Sequence, residues 1–190
     1  MNLRFLSSIS DFVVKHSSNK KIFFYTLASI LISGSMQFLE QMIPVGPGQT
    51  LPLKLDFRPF LTAKDITEVF QFYGESGRTL YFFQDVLDMF LPFAVCFMIG
   101  SFYSRAAIYL KLPVWINIVP FGFIVFDLIE NSIVFYFLYT WPVVSETLAA
   151  VTGVITAIKL SFVFTGYGIL IGSLFGLFLK YCIQKLNKTR

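Results

Sequence analysis

The sequence predicts an all-α fold: an integral membrane four-helix bundle with a short amphipathic helix in its first external loop. Three observations predict it. The 190-residue chain is 56% hydrophobic, holds 24 phenylalanines and has only 14% charged residues, a composition outside that of ordinary soluble domains. Four apolar runs each reach the roughly 20 residues that cross a hydrocarbon core. Between the first two runs, apolar side chains recur at helical spacing with polar residues on the opposite face. Residues 1–190 are read as a single membrane domain.

The elements follow in order. Leu3, Leu6, Ile9 and Val13 lie at near-helical spacing, which suits a short interfacial helix ahead of the first span. The spans run roughly from Ile22 to Val45, Leu80 to Tyr103, Leu112 to Trp141 and Leu148 to Tyr181. The last two are long enough to tilt or to project from the bilayer. Lys20 and Lys21 precede the first run. That run exceeds a secretory h-region and ends without a small-residue cleavage pattern, so a retained span is expected.

From Pro44 to Asp56 the chain is rich in proline and glycine and reads as an ordered or extended loop. Thr62 then opens a helix over residues 62–73. Asp65 suits an N-capped first turn. Ile66, Val69, Phe70 and Tyr73 follow at i, i+3, i+4 and i+7, so this helix is expected to lie on the outer surface. Gly74 ends it, and Gly77 and Arg78 lead into the second span. Pro92 and Pro120 fall inside the second and third runs. Each removes an amide donor and crowds the carbonyl four residues back, so each predicts a kink.

Lysine and arginine set the orientation. Arg4, Lys15, Lys20 and Lys21 precede the first span, Arg105 and Lys111 join the second to the third, and Lys180, Lys185, Lys188 and Arg190 close the chain. The link between the third and fourth spans carries none. The expected location is therefore the cell membrane, read as an inner membrane, multi-pass with both termini cytoplasmic. The net charge of +4 resides in these flanks and argues for no nucleic-acid partner. Cys96 and Cys182 fall in different segments and read as buried small hydrophobes. Trp115, Tyr139 and Trp141 read as interfacial belt residues.

Against this apolar background stand Glu40, Asp85, Asp88, Asp127, Glu130 and Lys159. Charge at hydrocarbon depth is costly and normally faces a protein interior or a wet cavity. Counting at about 1.5 Å per residue from the span ends, all six can open toward one outward-facing cavity. Asp85 with Asp88 and Asp127 with Glu130 are i, i+3 pairs, and Asp127 with Asn131 is i, i+4. Each pair therefore shares a helix face. Thr152 and Thr156 lie on the outward side of Lys159.

Four uses of this inventory compete. Clustered carboxylates cannot all ionise, and a lysine keeps its neighbour ionised, so one residue type can supply both acid and base. Asp88, Asp127, Glu130 and Lys159 are the candidate catalytic set, acting on a membrane lipid, an isoprenoid or another apolar ligand. Arg78, Asp85, Asn131 and Glu40 are candidate substrate-binding residues. Arg78 sits at the outer mouth, where a guanidinium can hold a phosphate or carboxylate. Proton-coupled or small-molecule transport uses a similar inventory, although no inverted repeat is visible. A charge network that only fixes helix packing is the structural alternative, and a homo-oligomer remains open. No cofactor is expected. Hard carboxylate oxygens leave a divalent cation open, whereas a lone His16 argues against haem or a zinc–histidine site.

The run GESGRTLYFFQDVLDMFLPF, followed by FDLIEN and the mid-span Lys159, resembles a GxxGRxxY…D…DxxEN…K pattern of small bacterial multi-helix integral membrane proteins of unassigned function. The resemblance covers residues 74–159 and implies a membrane-embedded helical fold; it supplies no mechanism. The charge placement is also similar to that of small lipid-modifying membrane enzymes in general.

Overall fold

The computed structural model describes residues 3–188; Arg190, counted in the basic tail, lies outside them. The described residues hold helices and no strand. Six α-helices follow one another: α1 (Leu3–Lys15), α2 (Asn19–Gln41), α3 (Ala63–Asp88), α4 (Leu91–Leu110), α5 (Gly122–Thr140) and α6 (Glu146–Lys188). Two 3-10 segments, Leu55–Phe57 and Val114–Phe121, precede α3 and α5. Four runs of helix are long and apolar enough to cross a membrane: Asn19–Gln41, Ala63–Leu110, Val114–Thr140 and Glu146–Asn187.

Local chemistry explains the boundaries. The Ser18 hydroxyl accepts the Lys21 N–H and caps α2. Thr62 and Asp65 form a reciprocal capping box at the start of α3. The Thr62 hydroxyl accepts the Asp65 N–H, while the Thr62 N–H donates to the Asp65 carboxylate at 2.7 Å. Two orphan donors of the first turn are thereby satisfied.

The expected surface helix and second span form one continuous element with two interruptions. The first is Gly74, at φ 61° and ψ −168°, a region that side chains with a Cβ seldom enter. The second is the break between Asp88 and Leu91. Pro92 stands in the first turn of α4 and has no N–H to offer the Asp88 carbonyl. The chain tightens instead, with the Phe90 N–H donating to the Leu87 carbonyl at 3.0 Å. In the third run, Pro120 lies within the 3-10 segment rather than inside an α-helix.

The first half of α3 does not lie on an outer surface. Ile66, Val69, Phe70 and Tyr73 are all buried, packed with Ile43, Leu55, Leu61, Val134, Phe137 and Ala149. The apolar stripe that suits a membrane surface suits a protein core equally well, and here α5 and the start of α6 cover it. A second cluster around Val95, Cys96, Ile99 and Phe123 joins α4 to α5. Cys96 donates its thiol to the Pro120 carbonyl at 3.0 Å. Cys182 is only partly buried.

Helices α2 and α6 flank these cores and leave large apolar side chains uncovered, among them Phe23, Phe24, Ile30 and Phe38 on α2 and Phe164, Ile171, Phe175 and Phe178 on α6. Apolar surface this continuous is foreign to soluble monomers. The 43 residues of α6 rise about 65 Å.

Candidate functional site

Six elements, the loop after α2 and helices α2, α3, α4, α5 and α6, converge on a cavity of about 560 Å³. Helix α2 brings Glu40 to it, the loop after α2 brings Lys54 and Asp56, the end of α3 brings Asp88, α5 brings Asp127 and α6 brings Lys159. Apolar side chains, including Met36, Leu91, Val95, Phe123 and Val163, form most of the remaining wall. A mainly apolar pocket of this size with a few convergent polar groups is the common form of a small-molecule site.

The break after Asp88 matters here. It ends α3 at a carboxylate that is buried yet lies on the wall. Leu91, on the far side of the break, faces the same space.

Lys159 is the centre of the charge network. It is 4% exposed. Its ammonium is ion-paired with Glu130 and lies 3.6 Å from Asp127 Oδ1. The Thr156 hydroxyl also donates to Glu130, so α6 grips that carboxylate from two positions one turn apart. Asn131 Nδ2 donates to Asp127 Oδ2 at 3.1 Å. The Asp127–Glu130–Asn131 face of α5 thus meets the Thr152–Thr156–Lys159 face of α6.

The structure separates the expected site residues into three groups. Glu40, Asp88, Asp127 and Lys159 share the cavity wall. Asp85, Glu130 and Asn131 are buried but are not part of that wall. Both carboxylate oxygens of Asp85, both amide atoms of Gln84 and Oδ1 of Asn131 are buried without a hydrogen-bond partner. Arg78 belongs elsewhere. Its Nη1 donates to the Phe70 carbonyl at 3.0 Å, and its guanidinium lies 5.2 Å from the centre of the Trp141 ring. It therefore ties the two halves of α3 across the Gly74 kink and is absent from the cavity wall. Trp141, read from sequence as a belt residue, is its stacking partner.

Lys54 and Asp56 were not among the sequence candidates. Lys54 Nζ pairs with Glu40 Oε2 at 2.8 Å, which pins the loop to the end of α2. Asp56 is buried, and the Tyr81 hydroxyl donates to its Oδ1 at 3.4 Å. No sequence periodicity singles them out: Lys54 precedes, and Asp56 lies within, the short 3-10 segment Leu55–Phe57. The loop is held in turn by α6, where the Phe60 N–H donates to the Gly153 carbonyl at 2.9 Å.

Among the described residues, no group of three or more His, Cys, Asp or Glu side chains is arranged to hold a metal ion. Comparison with protein-family models, with curated proteins and with solved structures gave no match.

Proposed function

We propose that this chain is a multi-pass protein of the cell membrane, an inner membrane, with both termini cytoplasmic. Its outward-facing acidic cavity binds a lipid or isoprenoid and carries out general acid–base chemistry on it. One observation carries the reading: Asp88, Asp127 and Lys159 lie on one wall of a largely apolar cavity set among helices long and apolar enough to span a bilayer. The apolar walls suit a hydrocarbon tail, and the carboxylates suit its polar end. Proton transfer is assigned to the cavity-facing Asp88 and Asp127. Glu130 acts through Lys159 and is a positioning residue. Glu40 and Lys54, paired on the cavity wall, hold the loop against the end of α2. Arg78 takes no part in ligand contact.

The test is mass spectrometry of lipids retained by the purified protein, comparing wild type with Asp127→Asn and Glu130→Gln. Loss or exchange of a retained lipid in Asp127→Asn supports the reading. An unchanged lipid complement in both variants overturns it.

A purely structural role for the charges has one observation in its favour. Lys159 joins α6 to α5 through Glu130, and polar pairs of this kind fasten helices in a bilayer. Glu130 serves that role on either reading. Asp88 has a side-chain hydrogen bond with Asn131, yet it faces the cavity and is ion-paired to no residue among those described.

A further inference from the structure

The charges around the cavity are unequal. Six carboxylates, Glu40, Asp56, Asp85, Asp88, Asp127 and Glu130, gather on or behind its wall, against two amines, Lys54 and Lys159. Both amines are committed. Lys54 is bound to Glu40, and Lys159 is shared by Glu130 and Asp127. Asp56 and Asp88 remain on the wall, each 5% exposed, with no cation bound to them among the described residues. Among the described residues, Asp56 receives a hydrogen bond only from Tyr81, at 3.4 Å. Behind them, Asp85 has both oxygens buried and unbonded. A buried carboxylate must hold a proton or meet a cation; Asp88, hydrogen-bonded by Asn131, and Asp56 both face the cavity, so a cation entering it would meet two carboxylates at once.

Its kind follows from the geometry. The described acidic side chains do not form a metal-holding group, and the rest of the wall is aliphatic and aromatic. An alkylammonium ion satisfies both features. It is a compact cation with three N–H donors on a hydrocarbon body.

We propose that the ligand is an amphiphile with an ammonium head, seated between Asp56 and Asp88, with its chain along Leu91, Val95 and Val163. This rests on the proposed function and narrows its substrate class to amine-bearing lipids. Asp127, beside Lys159, is then the carboxylate left for proton transfer. Asp56 becomes a specificity-determining residue carried by the loop.

The experiment uses the full chain in detergent with three probes of equal chain length: dodecylamine, dodecanol and dodecanoate. Binding is read as the rise in thermal unfolding temperature and by native mass spectrometry. The expected result is dodecylamine binding about tenfold or more tighter than dodecanol, the scale of one charge-assisted hydrogen bond. Dodecanoate is expected not to bind. Asp56→Asn and Asp88→Asn should each erase the preference for the amine, whereas Glu68→Gln, on an exposed pair with Lys64, should keep it. Asp56 lies in the short 3-10 segment ahead of α3, outside the long helices, so its variant preserves the test if Asp88→Asn does not fold. Dodecanol or dodecanoate binding as tightly as dodecylamine overturns the ammonium assignment and leaves the lipid cavity standing. No binding of any probe overturns both. Stabilisation by Mg²⁺ or Ca²⁺ alone, with no amphiphile, overturns it in favour of a metal.

Discussion

Replacing Lys159 with Met isolates the contribution of the buried charge network. Methionine keeps most of the side chain's length, with a thioether in place of one methylene, and removes the ammonium. In the wild type that group is 4% exposed and serves both Glu130 and Asp127. Removing one partner from a buried pair costs about 3–5 kcal/mol, because the other charge stays buried without compensation. For a chain of this length, each kcal/mol moves the unfolding midpoint by about 2–4 °C. Lys159→Met should therefore unfold about 6–20 °C below wild type. The assay is thermal unfolding of detergent-purified protein followed by tryptophan fluorescence. Adding Glu130→Gln to Lys159→Met should recover part of the loss, since the second change removes the stranded carboxylate; groups in contact couple by about 0.5–3 kcal/mol. A midpoint for Lys159→Met within about 2 °C of wild type, or strictly additive losses in the double variant, would refute the claim that these charges face one another in the interior.

Three further outcomes follow from other parts of the fold. Arg78→Ala should destabilise the protein by about 1–3 kcal/mol through loss of the Phe70 carbonyl bond and the Trp141 contact, while leaving retained lipid unchanged; a change in the retained lipid would return Arg78 to the ligand. Gly153→Ala would set a Cβ 2.4 Å from the Leu61 backbone nitrogen. It should loosen the loop from α6, seen as faster proteolysis between Pro52 and Thr62, at a cost of about 1–3 kcal/mol. At the head of α3, outside the proposed spanning segments, the Thr62 hydroxyl beside Asp65 holds its carboxyl below the usual carboxylate range, with the Thr62 N–H and Arg58 assisting. A depressed folded-state value means that this contribution is present above the ordinary aspartate value and is lost as pH falls through the lowered one. Thr62→Ala should cost about 1 kcal/mol near neutral pH, and the difference from wild type should shrink in acid.

Much of this architecture was written locally. The apolar runs specify helices, and Thr62 with Asp65 specifies a helix start, because neither needs a distant partner. Pro92 marks the break beside Asp88 for the same reason: a missing N–H acts on the carbonyl four residues back. Counting depth along the helices points Glu40, Asp85, Asp88, Asp127, Glu130 and Lys159 toward one cavity, and four of the six, Glu40, Asp88, Asp127 and Lys159, lie on its wall. What depth does not encode is rotation. Asp85 shares a helix face with Asp88 only approximately, since i, i+3 neighbours differ by about 60°, and it lies behind the wall. Arg78 illustrates a competing partner. The kink at Gly74 brings the Phe70 carbonyl within its reach, and no periodicity forecasts that fold-back. Asp56 and Lys54 escaped because a proline-rich loop has no fixed period to count along; its course over the cavity depends on Gly153 and Glu40, which are remote in sequence. The Ile66–Tyr73 stripe illustrates an ambiguity of chemistry. A bilayer surface and a protein core demand the same apolar face, and only the neighbours decide.

The central claim is that α3 and α5 turn acidic faces, and α6 turns Lys159, into one wet chamber reached from the side of the Pro44–Arg58 loop. The direct measurement is the reaction rate of a single cysteine at Leu91, beside Asp88, in a Cys96→Ser, Cys182→Ser background. A membrane-impermeant cationic methanethiosulfonate is added to the loop side of oriented vesicles. The account predicts that Leu91→Cys reacts readily and at least about tenfold faster than Ile171→Cys on the uncovered apolar face of α6, because only thiols in contact with water ionise to the attacking thiolate. A silent Leu91→Cys, in a protein whose unfolding midpoint matches that of its parent, would mean that the chamber does not exist.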